Sequence, residues 1–151
     1  KELNPSLKLV IAGDSHHSDD YVAEIRKNAS DKIIFTGYVY GEALQELYSN
    51  AYCYVHPSWI EGLPITLLEA MSYGNCMIAS DIPANAEVVA DCGLLFESGN
   101  TEDLKRVLAK VIENPNLARE LGERAMIRGG LEYNYDTVTG QLEQIYKEIT
   151  A

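Results

Sequence analysis

The chain has 151 residues, 46% of them hydrophobic, with 12 Lys or Arg against 23 Asp or Glu and a net charge of −11. That size and apolar content suit one folded domain with a real core and exclude a disordered segment. The acidic balance argues against binding nucleic acid or anionic lipid through this surface, and leaves open a phosphorylated ligand held by backbone N–H groups.

Residues 7–12 form a short apolar run ended by Gly13-Asp14, which predicts a strand feeding a turn. His16-His17 follow in a polar loop. Paired histidines beside Asp19 and Asp20 suggest a metal on one reading and a solvated loop on the other, commoner one. A helix is predicted over residues 19–28, a strand over 32–36 closed by Gly37, and a helix over 42–50 with Leu44, Leu47 and Tyr48 on its buried face. Residues 51–55 predict a strand stopping at His56-Pro57. Pro64 fits the first helical position, whose N–H has no partner in any case. Residues 65–73 are apolar nearly all round, so this helix is expected to be buried rather than amphipathic. Gly74 fits the left-handed position just past its end, and residues 77–79 resume as a buried strand.

A short helix is predicted near residues 87–90 and the last strand at 93–96. A helix capped by Asn100 or Thr101 follows and ends near Asn114-Pro115. Another helix is expected over 115–128, broken by Gly129-Gly130. The final one starts near Tyr135 and carries Val138, Leu142, Ile145, Tyr146 and Ile149 at helical spacing. Strands alternating with helices mean an α/β domain with a parallel sheet, whose ligands bind at the carboxyl ends of the strands. Cys53, Cys76 and Cys92 form no Cys-x-x-Cys pair and have no His at metal-ligand spacing, so they read as core thiols in a reducing compartment. The sequence shows no signal peptide and no apolar run of membrane length, which predicts a cytoplasmic protein.

Glu69 is the one side chain between Gly62 and Ser80 expected to carry charge. A buried carboxylate is costly unless something pairs with it. Glu69 therefore either lies on an exposed sliver of helix or faces a cleft and binds a hydroxyl-rich ligand. Glu61 precedes it in the loop before Pro64, and the free N–H groups of Leu63, Ile65 and Thr66 lie between them. A helix start is an anion site through its dipole and unpaired N–H groups. Loop and helix thus offer a carboxylate, an anion cradle and a second carboxylate, in the order a sugar joined through a diphosphate to a ribose would need.

Glu61-Gly62-Leu63-Pro64 followed by Leu68-Glu69-Ala70-Met71-Ser72-Tyr73-Gly74 resembles the Glu-x7-Glu motif of the family-4 retaining glycosyltransferases (glycosyl transferases group 1), which have the GT-B fold. The flanks agree in order and spacing: Thr36-Gly37-Tyr38-Val39, Tyr48-Ser49-Asn50-Ala51, Pro57-Ser58, Ala79-Ser80-Asp81, Glu87-Val88-Val89 and Gly93-Leu94-Leu95-Phe96. The resemblance covers nearly the whole chain and only the C-terminal, nucleotide-binding half of that fold, a Rossmann-like parallel sheet flanked by helices.

The resemblance implies a donor-binding domain that helps move a hexose from a UDP-, GDP- or ADP-sugar to an acceptor hydroxyl with retention, as in polysaccharide or glycolipid biosynthesis. No cofactor and no bound metal are expected. By the same token Glu69 accepts the ribose hydroxyls and Glu61, the catalytic candidate, contacts the donor sugar. Gly62, Leu63, Pro64 and Thr66 lie along the sugar and diphosphate, and Gly37, Tyr38 and Val39 approach the base. Tyr38 reads equally as an aromatic lid on the core. Trp59 and Ile60 either cover the donor or touch the other domain, or else plug the space under the loop. His56 reads first as a hydrogen-bonded strand-end histidine and second as catalytic. Asn75-Cys76 departs from the family, which commonly has Thr-Pro there, and the loss of Pro is expected to loosen that turn.

The acceptor is expected to be read mainly by an N-terminal domain that this sequence lacks, with the full-length protein cytoplasmic and, on one reading, peripheral to the membrane. Lys1-Glu2-Leu3-Asn4-Pro5 resembles only the end of the family's first helix, so the first strand, with its Arg and the loop Lys, is expected to be missing. A fragment of this kind exposes strand edges, or closes the gap by direct pairing or by self-association. It is expected to transfer no sugar alone. Two rival readings are a glycoside hydrolase using Glu61 and Glu69 as its carboxylate pair, and a non-catalytic nucleotide-sugar binding or scaffolding module.

Overall fold

A computed structural model describes residues 6–15 and 19–150. The elements run β1 (Leu9–Ala12), α1 (Asp19–Arg26), β2 (Ile33–Gly37), α2 (Gly41–Ser49), β3 (Tyr54–His56), α3 (Ile65–Ser72), β4 (Met77–Ser80), α4 (Pro83–Val89), β5 (Gly93–Phe96), α5 (Thr101–Ile112), α6 (Pro115–Glu132) and α7 (Tyr135–Thr150). Every strand ladder is parallel, as helical crossovers between strands require. His16-His17 and the stretch Lys1 to Pro5 lie outside the described residues. No helix among the described residues is long and apolar enough to cross a membrane.

The chain divides into two compact units, one up to Leu47 and one from Tyr48 onward. In the first, β1 pairs with β2, Leu9 opposite Ile33, with an irregularity between Ile11 and Ala12. Gly37 ends β2 at φ 69°, a left-handed conformation that favours glycine. The rings of Tyr38 and Tyr40 stack 6.3 Å apart just beyond it, and Tyr38 is 47% exposed.

In the second unit β4 pairs with both β3 and β5. All four β4 residues are buried. Its alternate side chains feed two cores. Met77 and Ala79 join Leu67 and Met71 of α3, Val88 and Val89 of α4, and Ala125 of α6. Cys76, just before the strand, and Ile78 join Phe96, Val107 and Val111 of α5 and Leu121 of α6. Coverage on both faces explains why β4 reads as an unbroken apolar run. The three cysteines are free thiols; burial pushes Cys53 up to about 11 and Cys76, with Cys53 adding to the effect, up to about 12.

Several expectations shift. The strands form two parallel sheets, β1–β2 and β3–β4–β5, rather than one. Pro64 is the residue before α3, not its first: its carbonyl accepts from Leu67 at 2.9 Å. The helix is one-sided rather than buried all round, with Leu67, Ala70 and Met71 inward and Ile65, Thr66, Glu69 and Ser72 outward. α4 starts at Pro83, four residues before the expected position, because Pro fits its first turn. α6 runs through Gly129-Gly130 to Glu132. A Cβ on Gly129 would lie 2.9 Å from the Met71 side chain, and one on Gly122 2.0 Å from the Gly74 carbonyl oxygen. Close packing of α6 on α3 therefore uses glycine where propensity alone would end a helix. The Asn75 turn is tied down, its side-chain amide donating to the carbonyls of Tyr48 (3.0 Å) and Ala70 (3.2 Å). No residue of α7 is buried.

Candidate functional site

β3 and β4 end at His56 and Ser80, and the loop from Pro57 to Pro64 leaves the sheet at that carboxyl end, where α/β folds place their ligands. The loop is polar where it meets the strands. Ser58 Oγ donates to Glu61 Oε1 at 2.7 Å, and His56 Nε2 lies 2.9 Å from the same oxygen. The contact between Ser58 Oγ and His56 Nε2 is 3.0 Å. With Ser58 donating to the carboxylate, the arrangement is satisfied by an Nε2–H that faces both oxygens. The Ser58 bond, the largest influence, holds the Glu61 carboxyl below its ordinary value; burial opposes it, and the His56 bond and charge add to the lowering. His56, buried and ending its strand, is thus the hydrogen-bonded histidine expected for that position.

Glu69, flanked in sequence by apolar residues, lies on the exposed face of α3. Tyr48, 8% exposed at the end of α2, donates its hydroxyl to Glu69 Oε2 at 3.0 Å. Its ring stacks on Tyr73 at 5.4 Å and tilts against Tyr54 at 5.7 Å. Burial, and then the neighbouring Tyr54 and Glu69, push the Tyr48 phenol upward, so it remains a donor across the working pH range. Between the two carboxylates, Ile65 and Thr66 open α3, and their N–H groups have no carbonyl within the helix to bond. The sequence has no Lys or Arg between Lys32 and Lys105. An anion held by this stretch alone would be met by backbone N–H groups and the helix dipole.

An open cleft of about 430 Å³ lies beside Glu61, lined by residues 59–62 of the loop and by Ile82, Pro83, Ala84 and Glu87 from the β4–α4 corner. Trp59 is 75% and Ile60 89% exposed, so neither plugs the space beneath the loop. Of the residues singled out in the sequence, Glu61 and Gly62 line this cleft, Leu63, Thr66 and Glu69 are exposed, and Pro64 is buried. Gly37, Tyr38 and Val39 belong to the first unit. The sequence placed Tyr48 on the buried face of its helix and assigned no site role to Tyr48, Ser58, Ser80 or Glu87. Their signals are membership of the flanking matches and, for Tyr48, Ser58 and Ser80, a polar tip near an element end.

Residues 1–128 match the family model described as glycosyl transferases group 1. The O-antigen chain mannosyltransferase B of Escherichia coli is 26% identical over 141 residues, covering 92% of this chain and 37% of its own. The sucrose-phosphate synthase of Thermosynechococcus elongatus superposes with a TM-score of 0.82 at 27% identity, over 95% of this chain and 38% of its own. Anabaena HepE, solved in complex with UDP and glucose, superposes with a TM-score of 0.88 at 18% identity, over 97% of this chain and 42% of its own. The chain thus spans about two fifths of the length of these proteins.

Proposed function

The chain belongs to the glycosyl transferases group 1 family, and from that premise we propose that it is the donor-binding domain of a retaining hexosyltransferase that uses a nucleoside-diphosphate sugar. The observation that carries the reading is the pair of carboxylates on either side of the α3 N-terminus. Each is tethered through one oxygen, Glu61 by Ser58 and His56 and Glu69 by Tyr48, and each keeps its other oxygen for a ligand. Glu69 would accept the ribose hydroxyls and Glu61 the hydroxyls of the donor sugar. The N–H groups of Gly62, Leu63, Ile65 and Thr66 would face the diphosphate, where negative charge grows as the bond from the sugar to the phosphate oxygen breaks. The new bond would form from the sugar carbon to the acceptor oxygen, whose proton would pass to the departing diphosphate oxygen. Because the chain spans well under half the length of its relatives, acceptor recognition and transfer are proposed for the whole protein and not for these residues alone.

The test is calorimetric titration with UDP-glucose, GDP-mannose and ADP-glucose. A donor domain binds at least one of them and, without acceptor, passes its sugar to nothing. Cleavage of a simple glycoside with no nucleotide present would instead favour the hydrolase, and binding of no nucleotide would leave a scaffolding module.

A further inference from the structure

Glu61 sits on a loop, yet the donor reading requires its carboxylate to be fixed. Its anchor runs deeper than the loop. Ser58 holds Glu61 Oε1 through its side chain, and its own carbonyl accepts a hydrogen bond from Ser80 Oγ at the end of β4. Ser80 Oγ in turn accepts from Asn85 Nδ2, in α4, at 2.9 Å. Ser80 and Asn85 are both fully buried. The chain of bonds therefore starts in the packed interior and ends on a carboxylate lining the cleft.

Two features argue that this chain serves position rather than stability. Asn85 Oδ1 is buried with no partner among the described residues. An apolar residue of similar size there would avoid that penalty. And both bonds to Glu61 fall on Oε1, which leaves Oε2 clear of these tethers. A carboxylate held merely to stabilise the loop would gain more by sharing its partners between both oxygens.

We infer that Ser58 is a positioning residue for Glu61, and that the buried Asn85–Ser80 pair sets the Ser58 backbone so that Glu61 Oε2 is presented to the hexose of the donor. This rests on the donor-site reading above, and it separates the sugar half of the ligand from its nucleotide half. Ser58 bears on Glu61 and not on Glu69, whose tether is Tyr48.

The experiment compares UDP with UDP-glucose, and GDP with GDP-mannose, titrated into the natural protein carrying these residues. Wild type, Ser58→Ala and Ser58→Thr are used, with melting temperatures as a fold control. The expected result is that Ser58→Ala weakens the nucleotide-sugar about tenfold and leaves the bare nucleotide unchanged. Ser58→Thr, which keeps the hydroxyl, restores the wild-type affinity. Asn85→Leu, an apolar change of similar size that removes the donor to Ser80, should show the same sugar-selective loss in smaller degree. Equal loss of nucleotide and nucleotide-sugar in Ser58→Ala would overturn the inference, as would no loss of either. Wild type that binds neither ligand would overturn the donor-site reading itself, and this inference with it.

Discussion

The contact between α6 and α3 supports a sharp test through Gly122. A Cβ added there would lie 2.0 Å from the Gly74 carbonyl oxygen and 3.0 Å from its carbon. The shortfall against an ordinary carbon–oxygen approach exceeds about 1 Å. Neither atom belongs to a flexible side chain. Gly74 is held at φ 70° just past the end of α3, and the next residue's N–H bonds Ala70 O at 3.1 Å. The cost of Gly122→Ala should therefore sit at the top of the overpacking range, about 3 kcal/mol, offset by about 1 kcal/mol of helix propensity. The net loss is about 2 kcal/mol, or a fall in melting temperature of about 4–8 °C for a chain of this size. Gly130 lies in the same helix with nothing within 4 Å of its added Cβ. There Gly130→Ala keeps only the propensity gain and should raise the melting temperature by about 2–4 °C. Because α3 carries Thr66 and Glu69, Gly122→Ala should also weaken nucleotide binding while Gly130→Ala does not. Thermal unfolding of the two variants followed by circular dichroism decides it. Shifts of the same sign would refute the close-approach reasoning.

Two further outcomes follow from the tethers. Tyr48→Phe keeps the ring contacts with Tyr73 and Tyr54 and loses the 3.0 Å bond to Glu69; urea denaturation should register a loss of about 1 kcal/mol, modest because Glu69 is exposed, and calorimetry a weaker nucleotide affinity. Glu61 is held below its ordinary value chiefly by Ser58 and next by His56, so its folded value is lower than its unfolded one. The stability this confers is full above the ordinary carboxylate range and is lost as the pH falls through the lowered value. A carboxyl-carbon NMR titration should find Glu61 titrating below the usual Glu range, and higher in Ser58→Ala; an unmoved titration would contradict the assigned cause.

Much of this was legible from the sequence because local rules and tertiary demands agree. β5 falls at residues 93–96 as expected, since a Gly-bounded apolar run packs the same way in any context. Asn100 caps α5 by accepting from the Asp103 N–H at 3.0 Å, the bond its side chain is suited to make. Gly74 takes the left-handed conformation that ends α3. The reading failed where packing overrides propensity. Gly129 costs α6 helix propensity but lets Met71 approach, a benefit no local window reveals. The one-sidedness of α3 was hidden because Ile65, though apolar, faces outward. At the site, Glu61 and Glu69 stood out as charges in apolar surroundings. Their tethers did not, because Tyr48 reads as core, and Ser58, though three residues from Glu61, meets Ser80 only once β3 and β4 pair.

The central claim is that residues 61–69 form a nucleotide-sugar site in which Glu69 takes the ribose. Its most direct test is calorimetry with whichever of UDP, GDP and ADP binds most tightly, comparing wild type with Glu69→Ala and Glu69→Gln. Hydrogen bonds from the ribose hydroxyls to a charged acceptor are worth about 1.5–3 kcal/mol. Glu69→Ala should therefore weaken binding by about 10- to 150-fold, with Glu69→Gln keeping part of the affinity and both variants melting near the wild-type temperature. Wild-type affinity in Glu69→Ala would contradict the account.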